Sequence, residues 1–207
     1  KEYLNLLAPG LSTEKYPPRL EITHEWVEKQ LGSLEISLPE SFFVFTPGAI
    51  FGPAKQWPLE HFRTLATLLH NVFGDPILIL GTEADVKSGA EISLGLDFVQ
   101  NYCGQTSLSE LLAILAKAKL LVGNDSGSMH LMSALQRPQI AILDQPLPTG
   151  LHQSILMRLY LAAIYPAHPV FQELDVFSNY DCLKLIEPEL VLEETLKLLT
   201  EKNQTEA

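Results

Sequence analysis

Basic residues are scarce in this chain, with 14 Lys and Arg against 25 Asp and Glu and a net charge of −11 over 207 residues. A negative overall field repels polyphosphate and anionic membrane surfaces, which argues against nucleic acid as a partner and makes every Lys or Arg inside a loop motif notable. Cysteine is nearly absent. Cys103 and Cys182 are too few for a disulfide scaffold or a Cys-rich zinc site and fit a reducing compartment. No apolar run reaches roughly 18 residues, and the longest candidate, Leu156 to Ile164, carries Arg158 and Tyr160, so no transmembrane span is expected. The opening residues do not read as a secretory leader. Gly-x-Gly-x-x-Gly is missing, which counts against a dinucleotide oxidoreductase. Gly-x-Ser-x-Gly is missing too, and no His and carboxylate cluster has metal-ligand spacing.

What remains is ordinary globular material. Hydrophobic residues make up 46% and charged residues 19%, which excludes intrinsic disorder and a fibrous repeat. The length suits one domain plus an appendage. The first residue is Lys1 rather than Met, as expected if the N-terminus has been removed or if the chain is a piece of something longer.

Residues 1–40 read as a connector, with a stiff Tyr16-Pro17-Pro18-Arg19 stretch and a short helix over Thr23–Leu31 capped by Thr23. From residue 41 the pattern changes to short apolar runs alternating with amphipathic stretches. Phe42–Phe45, Ile77–Leu80, Phe98-Val99, Leu120–Val122 and Ile140–Leu143 read as strands. Helices are expected from Pro58 through Leu69, from about Asp85 to Leu94, after the Ser107-x-x-Glu110 capping box, over Ser128–Gln136 and from Pro188 to Leu199. Ile155–Leu161 fits a strand or a helix, and Glu201–Ala207 reads as a polar tail. Alternation of fully apolar strands with helices calls for an α/β fold, a doubly wound Rossmann-like parallel sheet covered on both faces.

In such a sheet, ligands sit beyond the carboxyl ends of the strands. The loop Thr46–Pro58 contains two glycines and Lys55 just before a helix, an arrangement suited to a phosphate, although Lys55 is equally a solvated surface residue. The Pro residues and Gln56 exclude a Walker A loop. In the Gly123–His130 loop, Asp125, Ser126 and Gly127 occupy the turn into a helix whose first N–H groups favour negative charge. Asp125 alone reads more simply as an N-cap, and His130 as an ordinary helical histidine. Asp85 follows Gly81-Thr82, where a carboxylate either accepts from paired sugar hydroxyls or caps the next helix. Thr106 and Ser107 fit a capping box, and Trp57, Phe62 and Phe73 fit the core.

Taken in order, Pro47-Gly48-x3-Gly52-Pro53-Ala54-Lys55-x-Trp57-Pro58, Gly81-Thr82-x2-Asp85, Gly104-x-Thr106-Ser107-Leu108 and Asn124-Asp125-Ser126-Gly127-x-Met129-His130 resemble the C-terminal half of the lipopolysaccharide heptosyltransferases of glycosyltransferase family 9, nearest to the heptosyltransferase II type. The resemblance implies a GT-B fold of two Rossmann-like domains, of which residues 41–207 would be the nucleotide-sugar-binding domain with its C-terminal helix. Residues 1–40 would then lead from a missing N-terminal domain.

It also implies that Lys55 meets the diphosphate, that the backbone at Ser126 and Gly127 holds the phosphates, and that Asp125 binds heptose hydroxyls. Asp85 would take the ribose, His130 would lie against the donor, and Thr46 and Thr106 would line the pocket. The reaction would be inverting, metal-independent transfer of heptose from ADP-heptose, a substrate rather than a cofactor, to the lipopolysaccharide core acceptor. That acceptor and the general base would belong to the missing domain, so this chain would bind donor without turnover. A cytoplasmic location, including a peripheral place at the inner face of the inner membrane, follows from the same likeness. After Leu143 the sequence departs from the family's usual Gly-Pro and Ser/Thr-rich loop, reading Asp144-Gln145-Pro146-Leu147-Pro148-Thr149. Two rivals stand beside this reading: a non-catalytic Rossmann-like module for nucleotide sensing or protein docking, and another nucleotide-sugar enzyme such as an epimerase.

Overall fold

The computed structural model describes residues 19–34, 36–48, 56–142, 157–159 and 181–205. Each apolar run becomes a short parallel strand. These are β1 (Phe43–Thr46), β2 (Ile77–Ile79), β3 (Val99–Asn101), β4 (Leu120–Asn124), β5 (Gln139–Ile142) and β6 (Met157–Leu159). The helices are α1 (His24–Leu31), α2 (Leu59–Phe73), α3 (Val86–Ser93), α4 (Leu108–Lys117), α5 (Gly127–Ala134) and α6 (Pro188–Thr205). Short 3-10 turns occupy Glu83–Asp85 and Asp181–Leu185.

The strands line up in the order β3-β2-β1-β4-β5-β6, all parallel, which is the doubly wound arrangement expected. Because side chains alternate along a strand, the central strands β1, β2 and β4 each feed two cores. Phe43, Phe45, Ile77, Ile79, Leu120 and Val122 meet α2 and α6 on one face. Phe42, Val44, Leu78, Leu80 and Leu121 meet Ile114 and Leu115 of α4 and Met132 of α5 on the other. Burial on both faces explains why the strands show no polar alternation.

Local signals set most helix starts. Thr23 accepts a hydrogen bond from the Trp26 N–H at 3.2 Å and caps α1, which then packs on α4. Ser107 and Glu110 form the expected capping box on α4. Pro58 precedes α2 in an extended conformation, one position before the first helical residue.

Most element ends shift by one to a few residues from the sequence pattern, and three segments stand out. β4 continues through Gly123 to Asn124, because both are buried against β1 and the loop it leads to, which an apolar-run criterion does not register. Helix α6 extends to Thr205, so most of the apparent polar tail is helical, in keeping with the high helix propensity of Glu, Lys and Gln. The ambiguous segment near Ile155 contributes β6, paired in parallel with β5.

Candidate functional site

The strand order reverses between β1 and β4, so their neighbouring helices leave on opposite faces and a crevice opens past their carboxyl ends. Thr46 ends β1 and pairs in register with Gly123 of β4. A Cβ on Gly123 would overlap the Thr46 hydroxyl, so only glycine lets the two strand ends approach this closely. A cleft of about 550 Å3 lies here, a size suited to a small molecule. Its polar side is built by Thr46, Asp85, Ser126 and Gly127, and its apolar wall by Leu80, Leu108, Leu111 and Leu131.

Two hydroxyls in this lining have no protein partner. Thr46 is 3% exposed and its Oγ1 makes no hydrogen bond; the buried Oγ of Ser126 makes none either. A buried hydroxyl without a partner costs about 1–3 kcal/mol, so two at one cleft mark a place where a polar ligand would be favoured. Ser126 is the N-cap residue of α5, yet its side chain makes no capping bond. The first N–H groups of α5 are therefore left without a side-chain acceptor, at the end of the helix that attracts anions. Asp125 is half-buried and is not the N-cap, so its simpler sequence reading does not hold.

Asp85 makes the cap that one of its sequence readings expects, and it also lines the cleft. Its carboxylate accepts from the Thr82 N–H and the Thr82 hydroxyl, both at 2.8 Å, as a helix-start cap. It also presses on the backbone of Gly48, where any Cβ would strike the carboxylate, and so lines the cleft. Nearby, burial and then the Asp85 charge push the Cys103 thiol up to about 12, so this cysteine stays a neutral core residue.

Thr106 in the loop before α4, Asp125 in the turn before α5 and His130 in the first turn of α5 fall outside the lining, Thr106 and Asp125 half-buried and His130 exposed. Lys55 lies outside the described residues, as does the Asp144–Thr149 departure. The residue that the loop motifs contained without an assigned role is Asn124. It is fully buried, accepts from the Trp57 N–H at 3.0 Å and donates to the Pro47 carbonyl at 2.6 Å. Its signal in the sequence is a polar residue directly at the end of an apolar strand.

A second groove of about 420 Å3 runs between Arg19–Val27 and the C-terminal ends of α4 and α5. The basic residues lining it are already engaged, Arg19 with Glu21 at 3.4 Å, Lys117 with Glu28 at 2.7 Å and Arg137 with the Ala118 carbonyl at 2.7 Å, which makes that groove the poorer place for an anion. Among the described residues no group of three or more His, Cys, Asp or Glu is placed to hold a metal ion, and no helix is long and apolar enough to cross a membrane.

Residues 1–152 match the family described as glycosyltransferase family 9 (heptosyltransferase). The chain belongs to glycosyltransferase family 9. Among family 9 relatives it is 32% identical over 194 residues to lipopolysaccharide heptosyltransferase 2 of Salmonella typhimurium, covering 89% of this chain and 54% of that protein. It is 36% identical over 142 residues to lipooligosaccharide heptosyltransferase 2 of Haemophilus influenzae, covering 66% of this chain and 39% of the relative. The solved structure of E. coli ADP-heptose lps heptosyltransferase II superposes with a TM-score of 0.72 at 28% identity, over 90% of this chain and 54% of that one. The chain thus spans about half the length of the family 9 relatives it matches. The expected fold class, a Rossmann-like sheet of the kind found in each half of a GT-B transferase, agrees with that likeness.

Proposed function

We propose that this chain is the C-terminal, donor-binding half of a GT-B heptosyltransferase that moves heptose from ADP-heptose to the lipopolysaccharide inner core. The observation that carries this reading is the pairing of two orphan hydroxyls, Thr46 and Ser126, with the uncapped start of α5 at the sheet's switch point. A diphosphate is the ligand chemistry that satisfies all three. The apolar wall of Leu80, Leu108, Leu111 and Leu131 suits the flat face of a nucleobase.

Lys55 is the cation assigned to the same diphosphate. It precedes Trp57 by two residues, and the covalent chain keeps their Cα atoms within about 7.6 Å. The Trp57 N–H is bonded to Asn124, directly before the Asp125-Ser126-Gly127 turn, so the residue two positions after Lys55 is held beside that turn. In the transfer, negative charge grows on the departing diphosphate while the anomeric carbon becomes electron-poor. A fixed ammonium and a helix N-terminus stabilise that charge without reorganising, which removes the need for a metal in this role. Asp85 takes the ribose hydroxyls, Asp125 the heptose hydroxyls, and His130 and Thr106 border the bound donor. The general base that deprotonates the acceptor, and the acceptor site itself, belong to the other half of the enzyme. Inversion follows from a single displacement by the acceptor hydroxyl. The 207-residue chain alone binds donor and does not turn it over.

Titration calorimetry of the 207-residue chain with ADP tests this. Saturable binding at or below millimolar ADP is expected, with UDP-sugars weaker, and Lys55→Ala should weaken ADP about tenfold or more, as for loss of a charged hydrogen bond. No saturable ADP binding at millimolar concentration overturns the reading.

A further inference from the structure

Leu108 is the first residue of α4, is 70% exposed, and packs into neither hydrophobic core. An exposed leucine means little by itself: Leu94, just past α3, is 73% exposed and lines neither of the two grooves. Leu108 differs because it stands in the wall of the switch-point cleft. Leu111, three residues further along the same helix face, and Leu131 of α5 stand in that wall with it. Both of these are half-buried and pack on the core beneath, so folding accounts for them. It does not account for Leu108. The start of α4 is already set by the Ser107 and Glu110 capping box, which takes up two of its donors, and what this rim offers a ligand is methyl groups.

The place of these leucines relative to the open start of α5 decides what they would meet. Gly127 and Leu131 lie one turn apart on one face of α5, about 6 Å along the axis, and α4 packs beside α5. In a nucleotide one sugar ring separates the phosphates from the base. A diphosphate held at the start of α5 therefore brings its base to Leu131, with Leu111 and Leu108 on the neighbouring helix. Leucine has no donor or acceptor, so this wall grips a base by its face, and the gain grows with the apolar area covered. Two fused rings cover more of it than one.

We infer that Leu108 is a specificity-determining residue, closing an apolar wall with Leu111 and Leu131 against the base of a nucleoside diphosphate and favouring a purine over a pyrimidine. This deepens the donor-binding reading and rests on it. Because Leu108 is outside both cores, its substitution leaves the fold intact, which far-UV circular dichroism checks. In calorimetry of the 207-residue chain, Leu108→Ser should weaken ADP about fivefold, while Leu108→Met, which keeps the apolar volume, stays within about twofold of the wild type. UDP, measured by its displacement of ADP, should change less than about twofold in Leu108→Ser, so that the preference for ADP shrinks.

An unchanged ADP affinity in Leu108→Ser overturns the inference while the donor reading stands; that is the result expected of a leucine that serves only contact with another polypeptide. Equal losses for ADP and UDP overturn it as well, since the effect would then lie in the phosphate or ribose part of the site. Failure of the wild type to bind ADP overturns the donor reading and this inference together.

Discussion

Helices α4 and α5 both begin at the carboxyl edge of the sheet, and both begin with a serine. At α4, Ser107 accepts from the Glu110 N–H at 3.3 Å while Glu110 accepts from the Ser107 N–H at 2.7 Å, so the helix start is satisfied from within. At α5, Ser126 occupies the N-cap position and accepts nothing, and its hydroxyl is buried without a partner. The same residue type at the same structural position therefore serves folding in one place and leaves donors open in the other. What separates them is the third residue of the helix. α4 supplies Glu110 to complete a capping box, whereas α5 has Met129 there and offers no acceptor. An unfinished helix start beside a second orphan hydroxyl, at the switch point of a parallel sheet, is the observation on which the proposed donor site rests.

The contrast can be broken most strongly at the strand ends that support α5. Gly123→Ala would drive a methyl group into the Thr46 hydroxyl and backbone, and should cost about 3 kcal/mol, lowering the thermal midpoint by roughly 6–12 °C. A midpoint within 2 °C of the wild type in a thermal melt, an estimate of negligible strain, would show that the two strand ends yield easily. The serines themselves should behave differently from one another. Ser107→Ala removes a cap and should destabilise by about 1 kcal/mol, whereas Ser126→Ala removes a buried hydroxyl with no bond to lose and should stabilise the unliganded chain by about 1 kcal/mol or more. Chemical denaturation of the two variants reads this directly; equal losses would erase the distinction.

The smallest effect concerns pH. The Ser107 N–H and then its hydroxyl hold the Glu110 carboxyl below its ordinary value of 4.5. A depressed carboxylate contributes stability above the unfolded value, and that contribution disappears as pH falls through the folded one. Glu110 is at the surface, so solvent screening keeps the effect small. The midpoint difference between the wild type and Glu110→Gln should therefore shrink as pH is lowered below 4.5, and a constant difference would contradict the capping assignment.

Much of this was legible in the sequence because it is local. The Ser107-x-x-Glu110 box, the Thr23 cap and the apolar runs of β1 and β2 each announce themselves within a few residues. The alternation of strand and helix was enough for a doubly wound sheet, and the strand ends carrying Thr46, Asp85, Ser126 and Gly127 do meet at one cleft. Less legible were features set by residues far away in the chain. Asn124 acquires its partners 67 and 77 positions back, and β4 continues through Gly123 only because Thr46 packs on it. Asp85 shows the limit from the other side. The pattern offered a cap or a ligand group as alternatives, and the fold makes one carboxylate serve the cap while it faces the cleft.

The central claim, that the uncapped start of α5 and not the capped start of α4 receives the diphosphate, is tested most directly by ADP titration of Ser126→Ala beside Ser107→Ala. Ser126→Ala should lose about fivefold or more in affinity, as expected for one hydrogen bond, while Ser107→Ala keeps the wild-type value. Unchanged affinity in Ser126→Ala, or a loss confined to Ser107→Ala, would contradict it.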